Sequence, residues 1–139
     1  RLRVARFMPR DDGYDDFEGH VRETLADATG YACEKQYEVG KSGNRWKVDC
    51  VLLDDHDLRK GYVEVKETSR SSNRSTYINH MRRAYAEMGD FRQFDVPKAV
   101  VVADKWDTGG TDWDAMMDSI DCLLVDIDEI DRFVAELDA

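Results

Sequence analysis

The chain is short of cysteine, of cationic side chains and of long apolar runs. Only three cysteines occur in its 139 residues, Cys33, Cys50 and Cys122, and no two form a CxxC pair. That spacing argues against a zinc site and leads us to expect buried free thiols in a reducing, cytoplasmic setting. No apolar run approaches the ~20 residues that span a bilayer, so no membrane association is expected. Repeats and low-complexity tracts are absent too. The chain opens at Arg1 without a secretory signal at that start, which leaves open a longer protein with a targeting segment before it.

Positive charge is outweighed, with 20 Lys and Arg against 30 Asp and Glu, a net charge of −10. The acid is mostly aspartate, 21 Asp to 9 Glu, which suggests a solvated acidic surface of the kind suited to high salt. Taken alone this balance speaks against nonspecific nucleic-acid binding, because phosphate contacts need Lys and Arg. The distribution is more informative. Lys35, Lys41, Arg45 and Lys47 precede Asp49, and Arg70, Arg74, Arg82 and Arg83 follow Lys66, while acid dominates beyond Asp104.

At 139 residues the chain fits one domain with a sizeable core. Residues 1–13, basic and ending in a turn-like Asp-Asp-Gly, read as a linker or an added strand. Phe17, Val21, Leu25 and Ala28 recur at helical spacing, and Gly30 follows as a stop. Three strands are expected next, at 31–39, 46–53 and 61–66, with a turn at 40–44. A second helix is expected over about 76–88, capped by Ser72, Asn73 or Ser75 and stopped by Gly89. The run Lys98–Ala103 reads as a strand buried on both faces. A short helix near 113–117, a strand at 122–125 and a last helix capped by Asp126 complete an α/β domain with a mixed sheet.

Asp49, Glu64 and Lys66 stand out, because a charge inside a half-buried strand needs a partner, a metal or an exposed end. Alternation puts Glu64 and Lys66 on one strand face, with Val63 and Val65 on the other. If the strands on either side of 54–60 pair as a hairpin, Asp49 can come beside Glu64. Two carboxylates and an ammonium would then converge.

The spacing from Asp49 to Glu64-Val65-Lys66, each in a strand, resembles the PD-(D/E)xK nuclease superfamily, which has the restriction-endonuclease-like fold. The preceding glutamate-bearing helix and the αβββαβ order extend the resemblance over about residues 15–103. In local texture the chain is similar to Holliday-junction resolvases and small archaeal or bacterial endonucleases, where an acidic helix ends in Gly-aromatic, here Gly30-Tyr31. Val48 replaces the proline that names the motif. The helix glutamate is Glu18 or Glu23, and Glu18 fits the distance to Gly30 better.

The resemblance implies a metal-dependent endonuclease domain acting on DNA. Asp49 and Glu64 are hard oxygen ligands suited to Mg²⁺, with Mn²⁺ as a substitute. The family pattern adds the Val65 carbonyl to the metal shell and Glu18 as a supporting ligand. Such an ion would acidify a bound water and neutralise developing charge, and Lys66 would orient that water. Arg70, Arg74 and Arg82, with Lys41, Arg45 and the hydroxyl of Ser69 or Ser71, are candidates for holding flanking phosphates. His80 is a candidate to face the site from the second helix. A homodimer or a missing targeting domain would suit the class by analogy.

Two other readings remain at this stage. One is a catalytically idle nuclease-like fold serving as a nucleic-acid-binding or assembly module. The other is an unrelated α/β domain whose carboxylates hold a structural ion.

Overall fold

A computed structural model describes residues 13–69 and 72–137, with side chains from residue 17. The expected linker or strand at 1–13 therefore lies almost wholly outside the described residues, as do Arg70 and Ser71. In chain order the elements are α1 (Gly13–Thr29), β1 (Ala32–Val39), β2 (Arg45–Leu53), β3 (Arg59–Lys66) and α2 (Arg74–Asp90). After them come β4 (Lys98–Val102), α3 (Trp113–Asp118), β5 (Cys122–Asp126), a 3₁₀ turn (Ile127–Glu129) and α4 (Ile130–Leu137).

The five strands form one mixed sheet in the order β1-β2-β3-β4-β5. The first three are antiparallel, and β3, β4 and β5 run parallel. Helices cover both faces. Val51, Leu53, Tyr62, Val100, Val102 and Leu124 pack with Tyr77, Met81 and Met88 of α2 and Met117 of α3. On the other face Cys50, Leu52, Val63, Ala99, Val101 and Val125 meet Phe17, Val21 and Leu25 of α1 with Ile130 and Phe133 of α4. Being covered on both sides is why β4 is apolar without alternation.

Local chemistry accounts for most boundaries. Gly30, at φ 76°, ends α1 in the left-handed conformation that favours glycine. Ala28, expected on the inner stripe, is exposed in the last turn. Asn73 caps α2 by accepting the Thr76 N–H at 2.8 Å. Gly89 does not stop that helix: it is not among the positive-φ glycines, and α2 continues to Asp90 with Phe91 as its cap. Asp126 caps the 3₁₀ turn rather than α4 directly, through a reciprocal capping box with Glu129.

An irregularity in β2 matters for the site. Glu34 pairs with Val51 and Gln36 with Val48, so β2 takes three steps where β1 takes two. The extra residue breaks the alternation of β2, and Val48 and Val51 both face the α2 side. Asp49 and Cys50 occupy the bulge between them. Bulges of this kind re-aim side chains.

The cysteine expectation needs correction. Cys33 and Cys50 are joined in a disulfide, with Cα atoms 5.2 Å apart, and only Cys122 is a buried free thiol. Cys33 lies opposite Leu52, two residues along β2 from Cys50, and this diagonal across paired strands is within bridging reach. Spacing in the sequence cannot reveal such a neighbour. Among the described residues no helix is long and apolar enough to cross a membrane.

Candidate active site

The site is built where β2 and β3 part. Their pairing runs from Leu53 opposite Arg59 to Cys50 opposite Val63, and one more step would set Asp49 against Glu64. Instead the bulged Asp49 takes over, its Oδ2 accepting the Val65 N–H at 2.8 Å. A main-chain donor that the ladder leaves free is thereby satisfied by a carboxylate. Val65 itself packs with the α1–α4 face, as alternation requires, and Glu64 and Lys66 point the other way.

Asp49 and Glu64 are 8% and 5% exposed, far less than ordinary surface acids. Lys66 Nζ lies 3.2 Å from Glu64 Oε2. Lys35 Nζ, from β1, lies 3.8 Å from Asp49 Oδ1 and 3.0 Å from Glu18 Oε2 on α1. The structure thus brings together Asp49, Glu64, Lys66 and Glu18. Glu23 is exposed, and of the two helix glutamates it is Glu18 whose charge acts on Asp49.

A further acid joins from α2. Glu87, 6% exposed, stands beside Glu64, where its charge, after burial, is what pushes the Glu64 carboxyl up. Sequence reasoning missed it. Its signal was helical: Glu87 falls seven residues, two turns, after His80, and so on the same face.

The electrostatics are those of crowded, desolvated acid. Burial pushes Asp49 up to about 7, and the charge of Glu64 adds to this, while the Val65 N–H and Lys35 pull it back. Burial lifts Glu64 to about 8, reinforced by Glu87 and opposed by Lys66. Glu87 rises to about 7, again mainly through burial. Glu64 Oε1 and Glu87 Oε2 are buried without a hydrogen-bond partner. His80 stands near Lys66 with its Nδ1 also unpartnered, and burial, Lys66 and Arg83 all push its pKa down.

No protein-family model, characterised protein or solved structure matches the chain.

Among the described residues no group of three or more His, Cys, Asp and Glu is arranged to hold a metal ion. Two converging carboxylates with an unsatisfied buried oxygen still fit Mg²⁺, which takes one or two carboxylates and keeps several waters. Asp49 and Glu64 would hold it. Glu18 is engaged with Lys35 and stands behind them.

The remaining sequence candidates are more scattered. Ser69 lies half-buried just beyond β3, its N–H donating to Ser72 Oγ at 3.2 Å. Arg74 opens α2, but its Nε donates to the Thr108 carbonyl at 2.9 Å, so it braces the loop before α3. Arg82 is exposed on α2. Lys41 sits in the β1–β2 turn, its N–H bound to the Asp90 carbonyl at 2.8 Å, and Arg45 lies over the Tyr37 ring at 4.7 Å. The largest charge effects are those of Glu64, Glu18 and Lys35 on Asp49 and of Glu87 and Lys66 on Glu64.

Proposed function

We propose that the chain is a Mg²⁺-dependent endonuclease domain of the PD-(D/E)xK type, hydrolysing DNA phosphodiester bonds. One observation carries this reading: Asp49 and Glu64 are both buried and converge at the break between β2 and β3, with Lys66 3.2 Å from Glu64. Had Glu64–Lys66 been an ordinary surface ion pair it would need no explanation. Buried as it is, the pair does not repay the desolvation of two further acids, Asp49 and Glu87. Fold stability is therefore a poor reason for the cluster, and chemistry a better one.

The order α1-β1-β2-β3-α2-β4 agrees with the αβββαβ core of that superfamily and supports a restriction-endonuclease-like assignment. When bound, the cation would acidify a water and offset charge on the phosphoryl oxygens. Asp49 is oriented for its part by the Val65 N–H on Oδ2, and the Val65 carbonyl is the proposed main-chain ligand. Lys66 orients the attacking water and faces the charge that develops on the phosphate. Glu87 steadies Glu64 from the helix side. Arg82, Arg74, Lys41, Arg45 and Ser69 are proposed contacts for flanking phosphates, as is Arg70, which lies outside the described residues. A homodimer or a targeting domain belongs to the same proposal, whereas the Cys33–Cys50 bridge removes the free-thiol ground on which a cytoplasmic location was expected.

One observation favours an idle nuclease-like binding module as second reading: Lys35 and Lys66 already partly neutralise the carboxylates. A labelled DNA duplex incubated with the folded protein and Mg²⁺ separates the two. Cleavage lost in Asp49→Ala and Glu64→Ala supports the nuclease; binding without cleavage by the wild type supports the module.

A further inference from the structure

Lys35 occupies a position that neither the sequence motif nor the proposed chemistry assigns. Its ammonium bridges two carboxylates from different elements, 3.0 Å from Glu18 Oε2 and 3.8 Å from Asp49 Oδ1. It comes from β1, outside the β2–β3 motif, and it touches Asp49 through the oxygen that the Val65 N–H leaves unused. That oxygen is the one Asp49 has to offer a cation.

We propose, on the strength of the metal-dependent reading above, that Lys35 is a resident counter-charge that a divalent cation displaces on binding. While the ammonium lies between Glu18 and Asp49 it offsets their charge and holds Glu18 away from any ion. When a divalent cation settles on Asp49 the two positive charges repel, and Lys35 swings out to water. Glu18 is then released to support the ion through a water.

Exposure makes the exchange easy. The Lys35 and Glu18 side chains are 38% and 27% exposed, and an ion pair this hydrated holds only weakly. Lys66 and Glu64, at 18% and 7%, are more enclosed, so Lys66 remains in place. Lys35 is therefore a positioning residue that sets the metal concentration at which the site fills.

The test is calorimetric titration of Mn²⁺ into the wild type, Lys35→Ala, Lys35→Arg, Lys60→Ala and Asp49→Asn, with melting curves to show that each is folded. Lys35→Ala is expected to tighten Mn²⁺ binding roughly three- to tenfold, the scale of removing one unit charge a few ångströms from the ion. Lys35→Arg keeps the charge and is expected near the wild-type value, as is Lys60→Ala, which alters the net charge equally at a distance. Binding that depends on Asp49 but is unchanged or weakened in Lys35→Ala overturns the inference and leaves the metal site standing. Equal tightening in Lys60→Ala also overturns it. No Asp49-dependent Mn²⁺ binding in either wild type or Lys35→Ala would sink the metal-dependent reading and this inference with it.

Discussion

The carboxylate of Asp49 accepts the main-chain N–H of Val65 at 2.8 Å, at the point where β2 and β3 stop pairing. The contact links a bulge in one strand to the Glu64-Val65-Lys66 run of the next. It fixes one Asp49 oxygen and leaves the other toward Lys35 and Glu18. Much of the site's behaviour follows from this linkage.

The raised carboxyl groups predict how stability varies with pH. Asp49, Glu64 and Glu87 hold their protons in the fold to about 7, about 8 and about 7, whereas in the unfolded chain they lose them near the usual carboxylate values. The folded state therefore binds more protons between those limits, and stability falls as pH rises through that window. Without divalent ions, chemical denaturation at pH 5 and pH 8 should show a loss of several kcal/mol at the higher pH. Glu64→Gln should flatten the profile and be the more stable protein at pH 8. A wild type equally stable at both pH values would contradict the electrostatic account.

Glu87 should tune the site without being essential to it. Glu87→Gln replaces a repelling acid by an amide that can donate to Glu64, so the Glu64 carboxyl should ionise more readily. The acid limb of the rate against pH is expected to move down by on the order of one unit. Loss of all activity with an unmoved pH profile would instead make Glu87 a direct participant.

A structural prediction concerns the β1–β2 hairpin. Asp90, at the end of α2, accepts the Ser42 N–H at 2.8 Å, the Ser42 hydroxyl at 2.7 Å and the Trp46 indole N–H at 2.7 Å. A Cβ on Gly40 would run into the Asp90 carboxylate. Gly40→Ala should thus prise the hairpin from the helix and destabilise the protein by roughly 1–3 kcal/mol, read from denaturation midpoints. An unchanged midpoint would show that the hairpin can shift without loss.

The sequence made the elements legible because the helical period is clean in α1 and α2, because β4 is a short continuous apolar run, and because Gly30, Asn73 and Asp126 are good terminators. It also exposed Asp49, Glu64 and Lys66, since charge in an apolar strand is conspicuous. The bulge at Asp49–Cys50 was not legible, because an extra residue in one strand is defined only by its partner. The Cys33–Cys50 bridge and the approach of Lys35 depend on the same pairing and were hidden with it. Glu87 was hidden differently: a glutamate on a helix is usually solvated, and only the packing of α2 over β3 buries it. The basic residues were legible only as a cluster in sequence: the structure sets Lys41 in the β1–β2 turn and Arg45 over the Tyr37 ring, apart from the carboxylates.

The central claim is that the cluster at the end of β3 hydrolyses phosphodiesters, and one assay reaches it directly. Supercoiled plasmid is incubated with the wild type and with Lys66→Ala, with Mg²⁺, Mn²⁺ or chelator, from low to molar salt. The range of salt is needed because the net charge of −10 repels itself when unscreened. The account predicts metal-dependent nicking or linearisation by the wild type, reduced at least about 100-fold in folded Lys66→Ala, the scale of losing one group that stabilises transition-state charge. A folded wild-type protein that leaves the plasmid intact at every salt and metal, or a Lys66→Ala variant that cuts equally well, would contradict it.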